Sequence, residues 1–173
     1  FRAEAMQYTA LWSLISYPVV YELNGGTNSE ENPQTYTYED ELTLSIPVRT
    51  GYVFSGWYTE PDFSGTPVIQ IVRHTSGELH VYAKWTGEIY TVTYKINNQQ
   101  NDAQEPYTQE MQFGTPQKLI PVRFDYFGHD FVSWSSKADG SGTLYSDQAD
   151  FEIGTKNINL YAKWERIEYT ITY

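Results

Sequence analysis

The hexapeptides HVYAKW at residues 80–85 and NLYAKW at 159–164 spell one ending twice in a chain of 173 residues, and YTALW at 8–12 comes close to a third. In the full copies Val81, Ala83 and Trp85, or Leu160, Ala162 and Trp164, alternate with Tyr82 and Lys84, or Tyr161 and Lys163. A period of two is the mark of a strand with one buried face. The ending therefore reads as the closing strand of a repeated module.

Upstream of each ending the correspondence continues in register. GYVFSGWYTEPDFSGTPV from Gly51 aligns with GHDFVSWSSKADGSGTLY from Gly128, pairing Phe54 with Phe131, Trp57 with Trp134 and Asp62 with Asp139. IPVR at 46–49 recurs at 120–123, YPVVYEL at 17–23 matches YTVTYKI at 90–96, and YTITY at 169–173 opens the pattern again. Self-similarity over a period of this size identifies tandem modules. The expected division is a closing strand and connector of a preceding copy at 1–16, module 1 at 17–85, a connector at 86–89, module 2 at 90–164 and the start of a following copy at 165–173. With no Met at Phe1, the chain reads as a piece of a longer protein.

Each closing Trp stands five positions before the next opening Tyr: Trp12 and Tyr17, Trp85 and Tyr90, Trp164 and Tyr169. The connectors SLIS, TGEI and ERIE share little except an Ile. A loose tether tolerates changes of length at small cost. Constant length with drifting composition instead predicts a joint of set geometry.

Within a module, Tyr90, Val92, Tyr94 and Ile96 alternate with Thr91, Thr93 and Lys95, which predicts an opening strand with one buried face. The polar segments that follow predict a hairpin with a long, mobile connection. Pro47 and Pro121 exclude a long regular helix through IPVR. The three-residue separation of Phe54 from Trp57, and of Phe131 from Trp134, puts each pair on opposite faces of an ideal strand, so a bulge or two covered faces is required. Opening and closing strands are both strongly patterned and are expected to be central neighbours. The expected repeat core is Phe54, Trp57, Trp85, Phe131, Trp134 and Trp164.

GYxFxGW, a turn and then LYAKW resemble the Listeria-Bacteroides repeat, the B repeat of internalin-type surface proteins. The resemblance covers nearly the whole chain, although His129 and Asp130 replace the usual aromatic after Gly and Ser133 replaces the Gly before Trp134. It implies an α+β, mainly β fold of tandem small β-grasp modules, ubiquitin-like in topology with the helix reduced to a turn; all-β sandwich repeats are the alternative. It further implies an extracellular bacterial protein, cell-surface or secreted, in which such modules stand between an anchor and a distal domain. No catalytic residue comes with the family.

Composition agrees with these expectations. Net charge is −11, from 22 acidic and 11 basic residues, and the basic ones are scattered, so nucleic acid and anionic membrane are poor partners. There is no cysteine, which excludes disulfides, thiolate metal sites and a Cys nucleophile. His74, His80 and His129 lack ligand spacing, and Asp139, Asp147 and Asp150 fail the spacing of a calcium loop. No enzyme motif, cofactor site or metal site is expected. The function expected is a stiff, non-catalytic spacer or stalk of an adhesin-like protein, with neighbouring repeats as its partners. The alternative is a binding module for host protein or glycan, acting through a free sheet edge or through Tyr36, Tyr38, Tyr82 and Tyr161, which share strands with polar neighbours. Tyr-rich edges also suit weak self-association.

Overall fold

The computed structural model describes residues 9–98 and 104–172. These residues form thirteen strands and no helix, so the class is all-β. The α part of the expected α+β class is absent among the described residues, and Pro47 and Pro121 oppose a regular helix through the IPVR segments. Tyr8 and Tyr173, which took part in the repeat alignment, lie outside the described residues.

Two compact units divide the chain. Unit 1 holds the described residues through Arg49 together with Phe54–Trp85, and unit 2 holds Thr50–Val53 and the described residues from Thr86 onward. Residues 50–53 thus belong to the first repeat by sequence and to unit 2 by contact.

In unit 1, β1 (Ser16–Glu22) pairs antiparallel with β2 (Thr35–Thr37) and parallel with β6 (Leu79–Gly87). The sheet order is β2-β1-β6-β4, with β4 spanning Tyr52–Tyr58. A separate ribbon joins β3 (Leu42–Thr43) to β5 (Gln70–Ile71). The opening and closing strands are central neighbours, as their two-residue patterning predicts. Val19, Trp57, Ile71, Val81 and Ala83 form the core together with Tyr36 and Leu44, and Phe54 and Trp85 pack against it.

Unit 2 repeats the plan. Here β7 (Ile89–Lys95) lies between β8 (Tyr107–Gln112), antiparallel, and β13 (Ile158–Arg166), parallel. The full order is β11-β10-β13-β7-β8, with β10 at His129–Ser135 and β11 at Leu144–Tyr145, while β9 (Gln117–Lys118) pairs with β12 (Asp150–Phe151). Val92, Tyr94, Ile96, Trp134, Leu160 and Ala162 are buried together, and Phe131 and Trp164 pack on them. The two cores share no residue.

The odd aromatic spacing has its cause in register. Between Phe131 and Ser133 the pairing of β10 with β13 slips by one, so an extra residue is accommodated and both rings turn inward. At the matching place in β4, Gly56 takes φ +134°, a conformation that side chains rarely adopt. The result in each unit is a Trp–Phe–Trp stack: Phe54 lies 5.4 Å from Trp57 and 5.5 Å from Trp85, and Phe131 lies 5.0 Å from Trp134 and 5.7 Å from Trp164.

The first opening hairpin differs from expectation in one respect. Its connection is tied down, because buried Asn32 donates to the Ser45 carbonyl, accepts from the Ser45 N–H and bonds the Asn28 side chain. Those bonds satisfy a buried amide that would otherwise be costly. In unit 2, residues 99–103 of the matching connection lie outside the described residues.

Candidate functional site

Two polar clamps recur at the sheet ends of both units. The Trp85 indole donates to the Leu23 carbonyl at 2.9 Å and the Trp164 indole to that of Ile96 at 2.7 Å. Beside them, the Asn24 amide donates to the Ala83 carbonyl and the Asn97 amide to that of Ala162. Both Asn residues sit at positive φ, 48° and 52°, where Asn is among the few tolerated residues. The closing Trp and the Asn of the first turn therefore lock the opening strand to the closing strand, which explains why both recur.

The deeper Trp residues are not equivalent. Trp57 donates its indole N–H to the Ser45 carbonyl at 3.2 Å, whereas Trp134 Nε1 is buried with no partner among the described residues. Unit 2 covers Trp134 with Phe124, whose ring centre lies 6.3 Å away and which comes from the FDY insertion at 124–126. Phe can fill that space but cannot accept the proton. Trp57→Phe should consequently cost more than Trp134→Phe, by about 2 kcal/mol, since the first removes a bond and the second removes an orphaned donor. Denaturant titrations that follow the Trp85 indole resonance in the first variant and Trp164 in the second test the difference.

Of the four tyrosines expected at a binding face, Tyr36 requires correction. It is 1% exposed, its hydroxyl donates to the Gly77 carbonyl, and it packs on Tyr17 directly opposite in β1. Pairing turns the ring inward, so it is core and not contact surface. Tyr38 is exposed and its ring lies 4.8 Å from that of His74. Tyr82 and Tyr161 are half-buried. Tyr161 lines an open groove of about 710 Å³ with Tyr145, Phe151 and Lys156, and the Lys95 ammonium stands 5.6 Å over its ring. No ring contact joins any two of these four among the described residues.

Asp62 and Asp139 cap their own turns, accepting from the backbone N–H of Ser64 and Ser141. Hydrogen bonds from Ser64, side chain first and backbone second, hold the Asp62 carboxyl below its usual range; for Asp139 the Ser141 backbone bond leads. Among the described residues no group of three His, Asp or Glu could hold a metal ion, and no helix is long and apolar enough to cross a membrane.

One cluster was not singled out by sequence reasoning. Tyr126 and His129 stack face to face, 3.9 Å apart with 1° between planes, and Trp164 meets Tyr126 edge-on at 5.7 Å. The His129 backbone N–H donates to the Tyr126 carbonyl and its Nδ1 lies 3.1 Å from the Phe127 carbonyl, which fixes the pair. Two hollows adjoin this wall. One, of about 390 Å³, is lined by Asn97, Asn98, Asp139 and Lys163 among others; the second, of about 430 Å³, is lined by Val122, Asp125 and Asp130 among others. Tyr126, His129 and Trp164 line both. The sequence signals were the FDY insertion and the departure at His129.

Comparison with known proteins matches this description. The model of the Listeria-Bacteroides repeat domain fits residues 17–84 and 90–163, both copies. A protein of Evansella cellulosilytica described as "Putative Gly-rich membrane protein" is 32% identical over 135 residues, covering 72% of this chain and 15% of that relative. A second from the same organism, "Putative membrane protein", is 28% identical over 169 residues, covering 94% of this chain and 24% of the relative. The chain thus spans about a quarter or less of the length of these curated relatives. With its two tandem copies, this chain belongs to the Listeria-Bacteroides repeat family.

Proposed function

We propose that the chain is a non-catalytic, extracellular repeat region serving as a stiff spacer in a bacterial cell-surface protein. Each unit is read as a β-grasp module without its helix, because the first and last strands are parallel central neighbours and the second strand flanks the first. The segments around Trp12, which is 93% exposed, and Tyr169 are read as parts of adjoining copies whose sheets they would complete. Relatives named as membrane proteins, of which this chain would be a minor part, agree with a surface location.

The observation that carries the spacer reading is the connector. Only Glu88 separates β6 from β7. Its N–H donates to the Gly51 carbonyl and its carbonyl accepts from the Phe113 N–H, each at 2.9 Å. Its carboxylate accepts from the Tyr90 hydroxyl. A Cβ on Gly87 would come within 2.1 Å of the Phe113 carbonyl oxygen, so the chain is closely packed at this point. These bonds order the connector backbone within unit 2, in keeping with its fixed length. The tyrosine-face alternative is weaker, because Tyr36 is buried.

Small-angle scattering tests the proposal. A compact module of this size is roughly 30 Å across. The native chain should give a single narrow distance distribution, and a Gly-Ser-Gly-Ser insertion after Glu88 should broaden it. If the native chain is already as broad as the insertion variant, the joint is a flexible tether and the spacer role is wrong.

A further inference from the structure

We propose that unit 2 carries a carbohydrate-binding site at the Tyr126–His129–Trp164 wall, taking the ring of a neutral pyranose in the hollow beside Asn98. The inference goes beyond the spacer reading and does not depend on it. The site has no counterpart in the first repeat, where the FDY insertion is missing, Tyr52 stands in place of His129 and Gly25 in place of Asn98.

Three observations converge. First, the aromatic wall is held in place before any ligand arrives: His129 is bonded within its loop, and the Trp164 indole is bound to the Ile96 carbonyl. A wall already ordered loses little entropy on binding. Flat rings of this kind present a polarisable face to the C–H face of a sugar, and the tip of the same loop carries Phe127, which is 100% exposed.

Second, a residue that lines the hollow carries a buried donor without an acceptor. Asn98 Nδ2 has no partner among the described residues. Such a group costs about 1–3 kcal/mol, and in a native protein it calls for an explanation. Rotation of the side chain would offer the amide to a ligand hydroxyl. Placing Asn where the first repeat has Gly makes little sense for the fold alone, since the adjacent Asn97 already makes the clamp to Ala162.

Third, the other polar groups suit hydroxyls. Asp139 accepts and Lys163 donates, so the lining offers both roles that a sugar hydroxyl can answer. Ser141 holds Asp139 in its charged form. Asp125 and Asp130 line the second hollow, and the chain as a whole carries −11, so a nucleotide, which would also stack on the rings, meets repulsion. Volumes of about 390 and 430 Å³ fall within the range of small-molecule sites. Because the wall lines both hollows, a second sugar residue of a short chain can lie across it.

The test is an NMR titration of the whole chain with methyl glycosides of glucose, galactose, mannose and N-acetylglucosamine, and with short oligomers of glucose and N-acetylglucosamine. One or more should shift the Trp164 indole and Asn98 side-chain amide signals while leaving the Trp57 indole unmoved, with weak affinity on the order of millimolar. Asn98→Gly, which restores the residue of the first repeat, and Tyr126→Ala should each weaken binding about tenfold or more, with the Trp134 indole resonance unchanged as evidence that the fold is intact. The proposal is overturned if no sugar moves these signals at about 50 mM, if binding survives both substitutions together, or if an aromatic-rich peptide saturates the wall while no sugar does.

Discussion

Trp134→Ala is expected to unfold unit 2 and leave unit 1 standing. The indole is fully buried, with ring centres of Tyr94, Phe131, Tyr107 and Phe124 at 4.8, 5.0, 6.3 and 6.3 Å. Truncating a Trp in such a place costs about 3–5 kcal/mol. A module of this size has roughly 4–11 kcal/mol to lose, at 0.05–0.15 kcal/mol per residue. One substitution thus removes much or all of the stability of its unit. In the NMR spectrum the Trp164 indole should collapse toward the random-coil position while Trp57 keeps its native shift. Trp57→Ala should produce the converse, because the two cores have no residue in common. Loss of both native indoles in either single variant would mean that the repeats fold as one cooperative body, and the modular reading would be wrong.

The parts of this fold that were legible in the sequence are those where a period of two coincides with a repeat. β1, β6, β7 and β13 follow from alternation alone, and their adjacency follows because both kinds of strand carry an apolar face that must be covered. The bulge beside Phe131 was legible as well, since an odd spacing of two large aromatics can be buried on one side only by a slip in register. Tyr36 was misread for a related reason. In the three-residue strand TYT the flanking Thr side chains gave no apolar partner by which to decide the face, and the decision falls to Tyr17 across the hairpin. Asn32 was invisible because its partners, Asn28 and Ser45, stand at separations of four and thirteen residues without any pattern. The Tyr126–His129 stack falls in the same class: the insertion was evident, but which rings it brings together depends on the path of the loop.

Alkali should dissolve unit 2 before unit 1. Burial pushes the hydroxyls of Tyr94 and Tyr107 up to about 12, opposed in part by backbone N–H groups of Ile120 and Arg123 that stabilise the phenolates. Tyr90 is raised as well, chiefly by its bond to Glu88. In unit 1, burial takes Tyr21 to about 12 and raises Tyr36. An unfolded chain releases these protons near pH 10. Below that, every hydroxyl is protonated in both states and the contribution to stability is fully present. Between about 10 and 12 the unfolded chain loses protons that the fold retains, so stability falls as pH rises. Each tenfold difference in proton affinity corresponds to about 1.4 kcal/mol, and solvent screening reduces the share of the partly exposed Tyr107. Two strongly raised groups in unit 2 against one in unit 1 set the order of loss. Tyrosinate absorbance, recorded with the Trp134 and Trp57 indole resonances, should show Trp134 lost at the lower pH. Tyr107→Phe, which removes a titrating hydroxyl, should bring the two midpoints together. Equal midpoints in the native chain, or a gap that Tyr107→Phe leaves unchanged, would show that the buried phenols do not control alkaline stability.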